Sequence, residues 1–505
     1  MEPAKRIIVN TLAQYVRSVF NIILSLYSTR LVLSALGNSD FGVYSLISGV
    51  VVMLGFITNA LVATTQRNLS FYHGKGDMAF LHKVFSTSLF LHLGIGTVVS
   101  LVLIALTPLL FNGFLHIDSG RIDVAKMVYF TTIANLFVSF VTAPYRALFF
   151  ARENIVYISV VDVLDGIFKL LLAVWLIHVD ADKLFVYSIM MAGITCFNLL
   201  AFALYATRYF PEARLRFSRA DFEKQLLRDM LDFTAWTIYS TGCILGRVQG
   251  VAIVLNRFFS TLVNSAYGIA LQASGAIQFV AVAVLNAMSP QVVKAEGAGN
   301  REKMLRLAET SSKYSYLMMS MVVFPVVFEM DSLLSLWLKD VPEHSAMFCR
   351  FILLATVCDQ LTIGLGTANQ AIGKIRLYSI VVNTTKLLTL PVAYILLLWG
   401  YNVSSVMWTY LLIEILCMLI RMPFMNMTAG LSVGHFVAHV FGRCVLPTLA
   451  LVFMGVLFTR LSGYTLRFLL SIPTTILVDA VVVWYAALEP DERTMALSFL
   501  KRKKS

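Results

Sequence analysis

Apolar stretches long enough to cross a lipid bilayer recur along the whole chain. We identify fourteen, at residues 9–36, 41–64, 84–107, 124–148, 157–178, 184–206, 231–256, 263–288, 309–329, 347–370, 377–399, 404–424, 441–460 and 466–487. A hydrocarbon core of about 30 Å needs about 20 such residues in one helix. Only 13% of the residues are charged and 58% are hydrophobic, which excludes the soluble globular class. The pattern predicts an all-α polytopic membrane protein with 14 transmembrane helices.

The sequence also repeats itself at a fixed distance. Residues 38–83, shifted by 223 positions, fall without a gap on residues 261–306. The matched pairs are Tyr44 and Tyr267, Gly74 and Gly297, Gly76 and Gly299, and Asp77 and Asn300. Tyr157 and Tyr378 match at an offset of 221. Duplicated halves are typical of transporters whose site lies between the halves, so we predict two pseudo-symmetric six-helix lobes around a central cavity.

The breaks between spans predict the domain organisation. We predict an N-lobe at 1–206, a cytoplasmic linker with an amphipathic helix at 207–230, a C-lobe at 231–424, two appended helices at 425–487, and a basic cytoplasmic tail at 488–505. In the linker, Ser218 and Asp221 form a capping box. Lys and Arg are more than threefold enriched in the loops on the side of both termini, so both termini are predicted to be cytoplasmic. The net charge of +12 then indicates contact with anionic membrane lipids and no nucleic-acid partner.

Polar residues follow one face of the first span. They recur at spacings of three and four residues and fall within about 80° of arc on a helix. The members are Asn10, Gln14, Arg17, Asn21, Ser25 and Ser28. A helix–helix interface joined by small polar groups explains the serines. A stripe of full length that contains an arginine favours a water-filled lumen.

The seventh span repeats this arrangement with its own arginine. Ser240 is the repeat counterpart of Arg17, and Arg247 lies seven residues further along the same face, about 10 Å at 1.5 Å per residue. A guanidinium stays charged and donates two parallel hydrogen bonds, which suits phosphate. We therefore predict that Arg17 and Arg247 line the lumen and bind phosphate. The alternative for Arg247 is an ion pair with a buried carboxylate.

Two further spans, the eleventh and the fifth, carry ionisable residues. In the eleventh span, Asn383 and Lys386 share one face, so Lys386 is either a third lumen cation or a partner of Asp165. In the fifth span, Asp165 and Lys169 are spaced to neutralise each other, which leaves Asp162 without a partner.

Carboxylates also occur in the middle of two later spans, at Asp359 and Glu414. Together with Asp162, they are candidates for coupling to a proton or sodium ion, as intramembrane acids often are. They are equally candidates for counter-ions of the lumen cations. The two interpretations remain open at this point.

Motifs for catalysis or cofactor binding do not occur. The sequence has neither a Walker motif nor a nucleophile elbow, and its six cysteines show no paired spacing. The extracytoplasmic loops are too short for a membrane polymerase or a glycosyltransferase. We therefore predict that the protein is not an enzyme and uses neither a metal nor a cofactor.

Two sequence stretches and the 6+6+2 plan resemble a known family. The turn LGNSDFGVYSLI between spans 1 and 2 and the stretch SPQVVKAEGAGNREKM after span 8 resemble the Wzx polysaccharide flippases. These belong to the MATE-like multidrug/oligosaccharidyl-lipid/polysaccharide exporter superfamily, and the resemblance covers nearly the whole chain.

The resemblance implies a transport function. It implies that two lobes rock about a central cavity and translocate an undecaprenyl-diphosphate-linked oligosaccharide across the bacterial inner membrane, for O-antigen, capsule or exopolysaccharide synthesis. It further implies that lumen arginines bind the diphosphate, a role that Arg17 and Arg247 fit by position. A polysaccharide polymerase complex is the implied protein partner, and the last two spans would hold the lipid tail.

Two other transport functions compete with this one. A MATE-type, cation-coupled drug or metabolite antiporter should carry unpaired carboxylates on the lumen faces of spans 1 and 7, where this chain has arginines. A lipid II flippase would differ only in the sugar head group, which the sequence does not specify.

Overall fold

The structure, a computed structural model, consists of helices throughout the residues it describes. These are residues 3–52, 54–111, 119–214, 223–259, 261–338, 341–461 and 467–494, within which no β-strand occurs. The predicted capping box at Ser218 and Asp221 lies outside these ranges, as does most of the predicted tail. The chain divides into two units: unit 1 is Met1–Ile238 with Val293–Gly299, and unit 2 is Tyr239–Val292 with Asn300–Ser505.

Unit 1 is built from the first six helices and the start of the seventh. These are α1 (Pro3–Val52), α2 (Gly55–Lys75), α3 (Met78–Leu109), α4 (Ile122–Ala151), α5 (Ile155–Leu176), α6 (Lys183–Tyr209) and α7 (Lys224–Phe258), with short 3₁₀ turns at Ser119–Arg121 and Pro211–Ala213. Gly37, with φ at 76°, breaks α1 between the first two predicted spans. Helix α1 packs against α5, and α4 packs against α2, α3 and α6.

Unit 2 contains the remaining helices. These are α8 (Thr261–Gly297), α9 (Arg301–Phe328), α10 (Met330–Trp337), α11 (Ser345–Gln360), α12 (Ile363–Ile372), α13 (Ile375–Leu398), α14 (Ser404–Ala429), α15 (Val433–Arg460) and α16 (Phe468–Ala487), except that the last turns of α8 belong to unit 1. Helices α9 and α10 form one pair bent by 78°, and α11 and α12 another bent by 48°. Helix α11 packs against α9 and α14, and α9 packs against α12 and α15.

The described helices include many that can span a membrane. Nine are long and apolar enough alone, and twelve if each bent pair counts as one span. Two of the predicted spans are not among them. One is α5, which carries Asp162, Asp165 and Lys169 within about two turns. The other, 41–64, is divided between α1 and α2. The all-helical, multi-span architecture is confirmed, and the count of fourteen stays a prediction.

The residues that are matched between the two copies of the Gly-x-Gly turn each have a local structural role. Gly76 and Gly299 follow α2 and α8 with φ at 78° and 74°, a conformation that glycine adopts without strain. The residue after each of these glycines, Asp77 or Asn300, caps the helix that follows. Asp77 and Asn300 accept a hydrogen bond from the backbone N–H three residues later, at 3.0 and 2.9 Å. The repeat therefore encodes the same helix stop and helix start twice.

The first glycine of each turn allows two helices to cross with their backbones in contact. A Cβ atom on Gly74 would lie 2.0 Å from the carbonyl oxygen of Lys294, and one on Gly297 would lie 1.9 Å from that of Phe71. Phe71 and Lys294 are themselves related by the 223-residue shift, so both sides of the crossing follow the repeat. Beside it, Lys294 forms a 2.6 Å ion pair with Glu153. All of these residues belong to unit 1.

Arg121 joins three elements of unit 1 in the turn before α4. Its guanidinium pairs with Asp40 on α1 and lies 2.5 Å from Asp182, which precedes α6. Burial raises the pKa of Asp182, but the hydrogen bonds from Arg121 and from the N–H of Phe185 together outweigh burial, so this pKa lies below its ordinary value.

We expect Gly74→Ala and Gly297→Ala each to destabilise the protein, because a methyl group cannot fit against a carbonyl oxygen at 2 Å. Overpacking of this kind costs about 1–3 kcal/mol. The midpoint of thermal unfolding of the purified, solubilised protein measures this loss of stability. Gly94→Ala is the matched control, since a Cβ at Gly94 meets nothing within 4 Å. Equal midpoints for all three variants and the wild type would contradict the close crossing.

Candidate functional site

Four of the predicted site residues meet in one ion cluster inside unit 2. Nη1 of Arg247 lies 2.5 Å from one oxygen of Glu414, and Nζ of Lys386 lies 2.6 Å from the other. Lys386 also reaches Asp359 at 3.2 Å. A fifth residue, Arg421, lies 2.7 Å from Asp359. Two carboxylates thus hold three cations together, and we call these five residues the unit 2 cluster.

Four helices contribute to the unit 2 cluster. Arg247 comes from α7, Asp359 from α11, Lys386 from α13, and Glu414 and Arg421 from α14. The last two are seven residues apart and therefore lie on one face of α14. In α13, a π-helical turn precedes Lys386 and adds a residue to the helix, which rotates Lys386 by about 100° compared with an unbroken helix. Helix geometry therefore brings these side chains together.

Two more predicted lumen residues lie in or beside this π-helical turn. Asn383 is the last residue of the turn and is buried. Ser240 on α7 shares a 2.7 Å hydrogen bond with Ser379, the first residue of the turn. Ser240 thus lies where α7 meets α13.

The unit 2 cluster has one more positive charge than negative charge. Four of its side chains are almost fully buried, with Arg247 6% exposed, Glu414 3%, Arg421 4% and Lys386 7%, and Asp359 is 19% exposed. Buried charges persist only when they are paired, which explains the close contacts. The guanidinium of Arg247 also lies 4.1 Å from the ring centre of Tyr410. Among the described residues, its buried Nε has no hydrogen-bond partner.

A cavity of about 470 Å³ lies against the unit 2 cluster. Its lining includes the charged residues Arg247, Lys386, Asp359 and Glu414, uncharged polar side chains such as Gln278, and apolar side chains. Small-molecule sites have about 300–1,000 Å³ and a few charged groups that fix the ligand. The two cations and two carboxylates of this wall balance each other, and Arg421, the fifth member of the cluster, leaves one excess positive charge beside the cavity, which is suited to attract an anion.

A second ion cluster lies inside unit 1. Arg17 reaches Asp162 at 2.7 Å, and Arg146 donates two hydrogen bonds to the same carboxylate at 2.9 and 2.7 Å. Gln14 accepts a hydrogen bond from Arg17 at 3.4 Å. Asp162 therefore has two cationic partners, and this unit 1 cluster also carries one excess positive charge.

Two arginines of these clusters, Arg421 and Arg146, are not among the site residues predicted from the sequence. The structure places Arg421 inside α14 and Arg146 inside α4. The seven-residue spacing between Glu414 and Arg421 is a signal that could have identified the first. No comparable local signal marks Arg146, because Asp162 lies on another helix.

The remaining predicted residues, Asn21 and Ser25, line a cavity of about 410 Å³ inside unit 1. The predicted pair of Asp165 and Lys169 is confirmed at 2.7 Å, and both residues line the same cavity. Lys386 pairs with Asp359 and Glu414, which matches the counter-ion interpretation of these two carboxylates. The predicted central cavity between the lobes remains a prediction.

We expect Glu414→Gln to destabilise the protein strongly, because it leaves three buried cations with a single carboxylate. Breaking a buried ion pair costs about 3–5 kcal/mol. Thermal midpoint and yield after solubilisation measure the effect. Glu302→Gln is the matched control, since Glu302 pairs with Arg306 at 3.2 Å but is 81% exposed, and exposed pairs contribute little. A Glu414→Gln protein as stable as the control would contradict the bridging role.

Solved structures of MATE transporters share the fold of this chain. A crystal structure of a MATE variant gives a TM-score of 0.75 at 14% identity and covers 85% of this chain and 97% of its own. A MOP superfamily transporter from Pyrococcus furiosus, described by a reverse polarity of its binding pocket that suggests a different function, gives a TM-score of 0.72 at 14% identity. The match covers 85% of this chain and 96% of the transporter. The MATE transporter ClbM in complex with Rb⁺ gives a TM-score of 0.70 at 14% identity, and the match covers 83% of this chain and 94% of ClbM.

Sequence identities this low show the fold alone. The predicted MATE-like fold is confirmed, and the chain is a multi-pass membrane protein with the fold of MOP superfamily transporters. No family model matches the sequence, and no curated protein matches it.

Proposed function

We propose that the protein is a flippase that moves an undecaprenyl-diphosphate-linked oligosaccharide across the bacterial inner membrane for surface polysaccharide synthesis. The observation that carries the proposal is the unit 2 cluster, in which three buried cations face two carboxylates beside a cavity of about 470 Å³. The fold, shared with MATE transporters, supports alternating access as the mechanism. The sequence resemblance to the Wzx flippases supports the substrate class.

The cations of unit 2 suit the diphosphate part of such a substrate. Arg247 keeps an N–H free of partners among the described residues, and guanidinium hydrogen bonds to phosphate are strong. Lys386 contributes a point charge on the same cavity wall. Because the cluster has excess positive charge, a diphosphate gains attraction without displacing Glu414 or Asp359. The two carboxylates hold the cations in place.

The unit 1 cluster supports a second anion contact at Arg17. Asp162 binds Arg17 and Arg146, so neither arginine needs an anion to be stable in the membrane. The excess charge nevertheless attracts one. All three candidate coupling carboxylates, Asp162, Asp359 and Glu414, bridge two cations each, which supports the counter-ion role for them.

The last two helices are proposed to contact the lipid tail. Both expose large apolar side chains, among them Phe453 and Leu449 on α15 and Leu477 and Leu470 on α16. A hydrocarbon chain can stay in contact with such faces while the polar head group crosses.

A MATE-type antiporter coupled to cations is the second candidate function, because a multidrug resistance MATE transporter is among the structures with this fold. An organic cation needs a carboxylate that is not already neutralised. In the described cavities, Asp359, Glu414 and Asp165 all have cationic partners, which disfavours this function. A lipid II flippase would use the same cationic groups and differ in the sugars.

Deleting the gene should cause lipid-linked repeat units to accumulate on the cytoplasmic face while surface polysaccharide is lost. Glycolipid extraction and surface polysaccharide staining measure the two effects. Unchanged polysaccharide together with altered drug sensitivity would instead support the antiporter.

Arg247→Ala and Arg17→Ala should each abolish export while the protein still inserts. Arg247→Lys should retain part of the export, because it keeps the charge but loses the paired donors. Export is measured by surface polysaccharide, and insertion by immunoblotting of membranes. Arg306→Ala is the control, since Arg306 is 74% exposed. Full export by both alanine variants would contradict the proposed phosphate contacts.

A further inference from the structure

The cavity inside unit 1 differs in chemistry from the cavity beside the unit 2 cluster. It has about 410 Å³ and is lined mainly by hydroxyl groups, from Ser25, Ser28, Thr29, Ser45, Tyr44 and Tyr187. Asn21 adds an amide. Three helices of unit 1 supply this lining: α1, on both sides of its Gly37 break, α5 and α6.

The charged groups of this cavity cancel each other. Asp165 and Lys169 form a 2.7 Å ion pair, and Asn198 donates a 2.8 Å hydrogen bond to Asp165. The wall therefore has no net charge. Neither an anion nor an organic cation gains a free counter-charge there.

Two polar atoms of the lining have no hydrogen-bond partner among the described residues. These are Oδ1 of Asn21 and Oγ of Ser28, and the Ser28 residue is only 9% exposed. A buried polar atom without a partner is unfavourable, so a ligand that bonds to both atoms is favoured. A hydroxyl group both donates and accepts, which satisfies either atom.

An aromatic pair completes the lining. Tyr44 and Tyr187 meet edge to face, with ring centres 4.9 Å apart and planes at 72°. This arrangement leaves at least one ring face that the partner does not cover. Tyrosine rings offer an apolar surface with a polar end, which suits a ligand with both C–H faces and hydroxyls.

From these features, we infer that the unit 1 cavity binds one uncharged sugar ring of the glycolipid head group, an inference that rests on the proposed flippase function. Asn21 and Ser28 bond to the ring hydroxyls, and the tyrosine pair packs against the C–H face. The volume lies within the range of about 300–1,000 Å³ that is usual for small-ligand sites.

Binding of methyl α-D-glucopyranoside to the full protein in phospholipid nanodiscs tests the inference. Nanodiscs avoid detergents with sugar head groups, and saturation-transfer NMR reports contact with the glycoside ring protons. Wild type should show transfer, and Ser28→Leu, which fills the cavity, should bind about tenfold more weakly. Asn21→Ala should weaken binding in the same direction without adding bulk.

The control variant is Thr131→Leu on α4, where the hydroxyl bonds to its own helix and does not line the cavity. It should bind as wild type does. Absence of transfer from wild type, or equal transfer from Ser28→Leu, would overturn the sugar site. Tetraphenylphosphonium binding that the cavity variants weaken, with glycoside binding unaffected, would also overturn it in favour of an organic cation.

The gene deletion separates this inference from the proposed function. If deletion abolishes surface polysaccharide but the glycoside does not bind, only the sugar site is wrong. If surface polysaccharide survives deletion, the flippase function is wrong whatever the glycoside does.

Discussion

Glu414 is the residue on which the interior of unit 2 depends. Its two oxygens each hold one cation, Arg247 at 2.5 Å and Lys386 at 2.6 Å, in a place where the side chain is 3% exposed. An unpaired charge in such surroundings is too unfavourable to persist, so three helices must pack in the one arrangement that brings these groups together. The packing of α7, α13 and α14 and the polarity of the adjacent cavity follow from this requirement.

The two units reach a similar charge balance with residues that the repeat does not relate. At the offset of 221, Asp162 matches Asn383 and Asp165 matches Lys386. Unit 1 has two arginines around Asp162, whereas unit 2 has three cations around two carboxylates. Each cluster ends with one excess positive charge. The duplicated scaffold is therefore symmetric in its turns and crossings but asymmetric in its chemistry.

This asymmetry extends to the two cavities. The unit 2 cavity adjoins a cluster with one excess positive charge, which supports an anion site, and the unit 1 cavity has a neutral wall rich in hydroxyls. A glycolipid with a diphosphate and sugars offers both kinds of group. A drug exporter would need a carboxylate that no cation neutralises, and neither of these two cavities has one among the residues that the structure describes.

The sequence by itself determined the features that depend on local spacing. Apolar stretches predicted the helices, the 223-residue repeat predicted the matched turns, and the spacing of Asp165 and Lys169 predicted their ion pair. Only the tertiary structure decided which groups meet across helices: Glu414 with Arg247 is a contact over 167 residues, and Arg421 and Arg146 entered the clusters in this way. The reason is that helical periodicity tells which face a side chain occupies, but the helix opposite that face is chosen by packing.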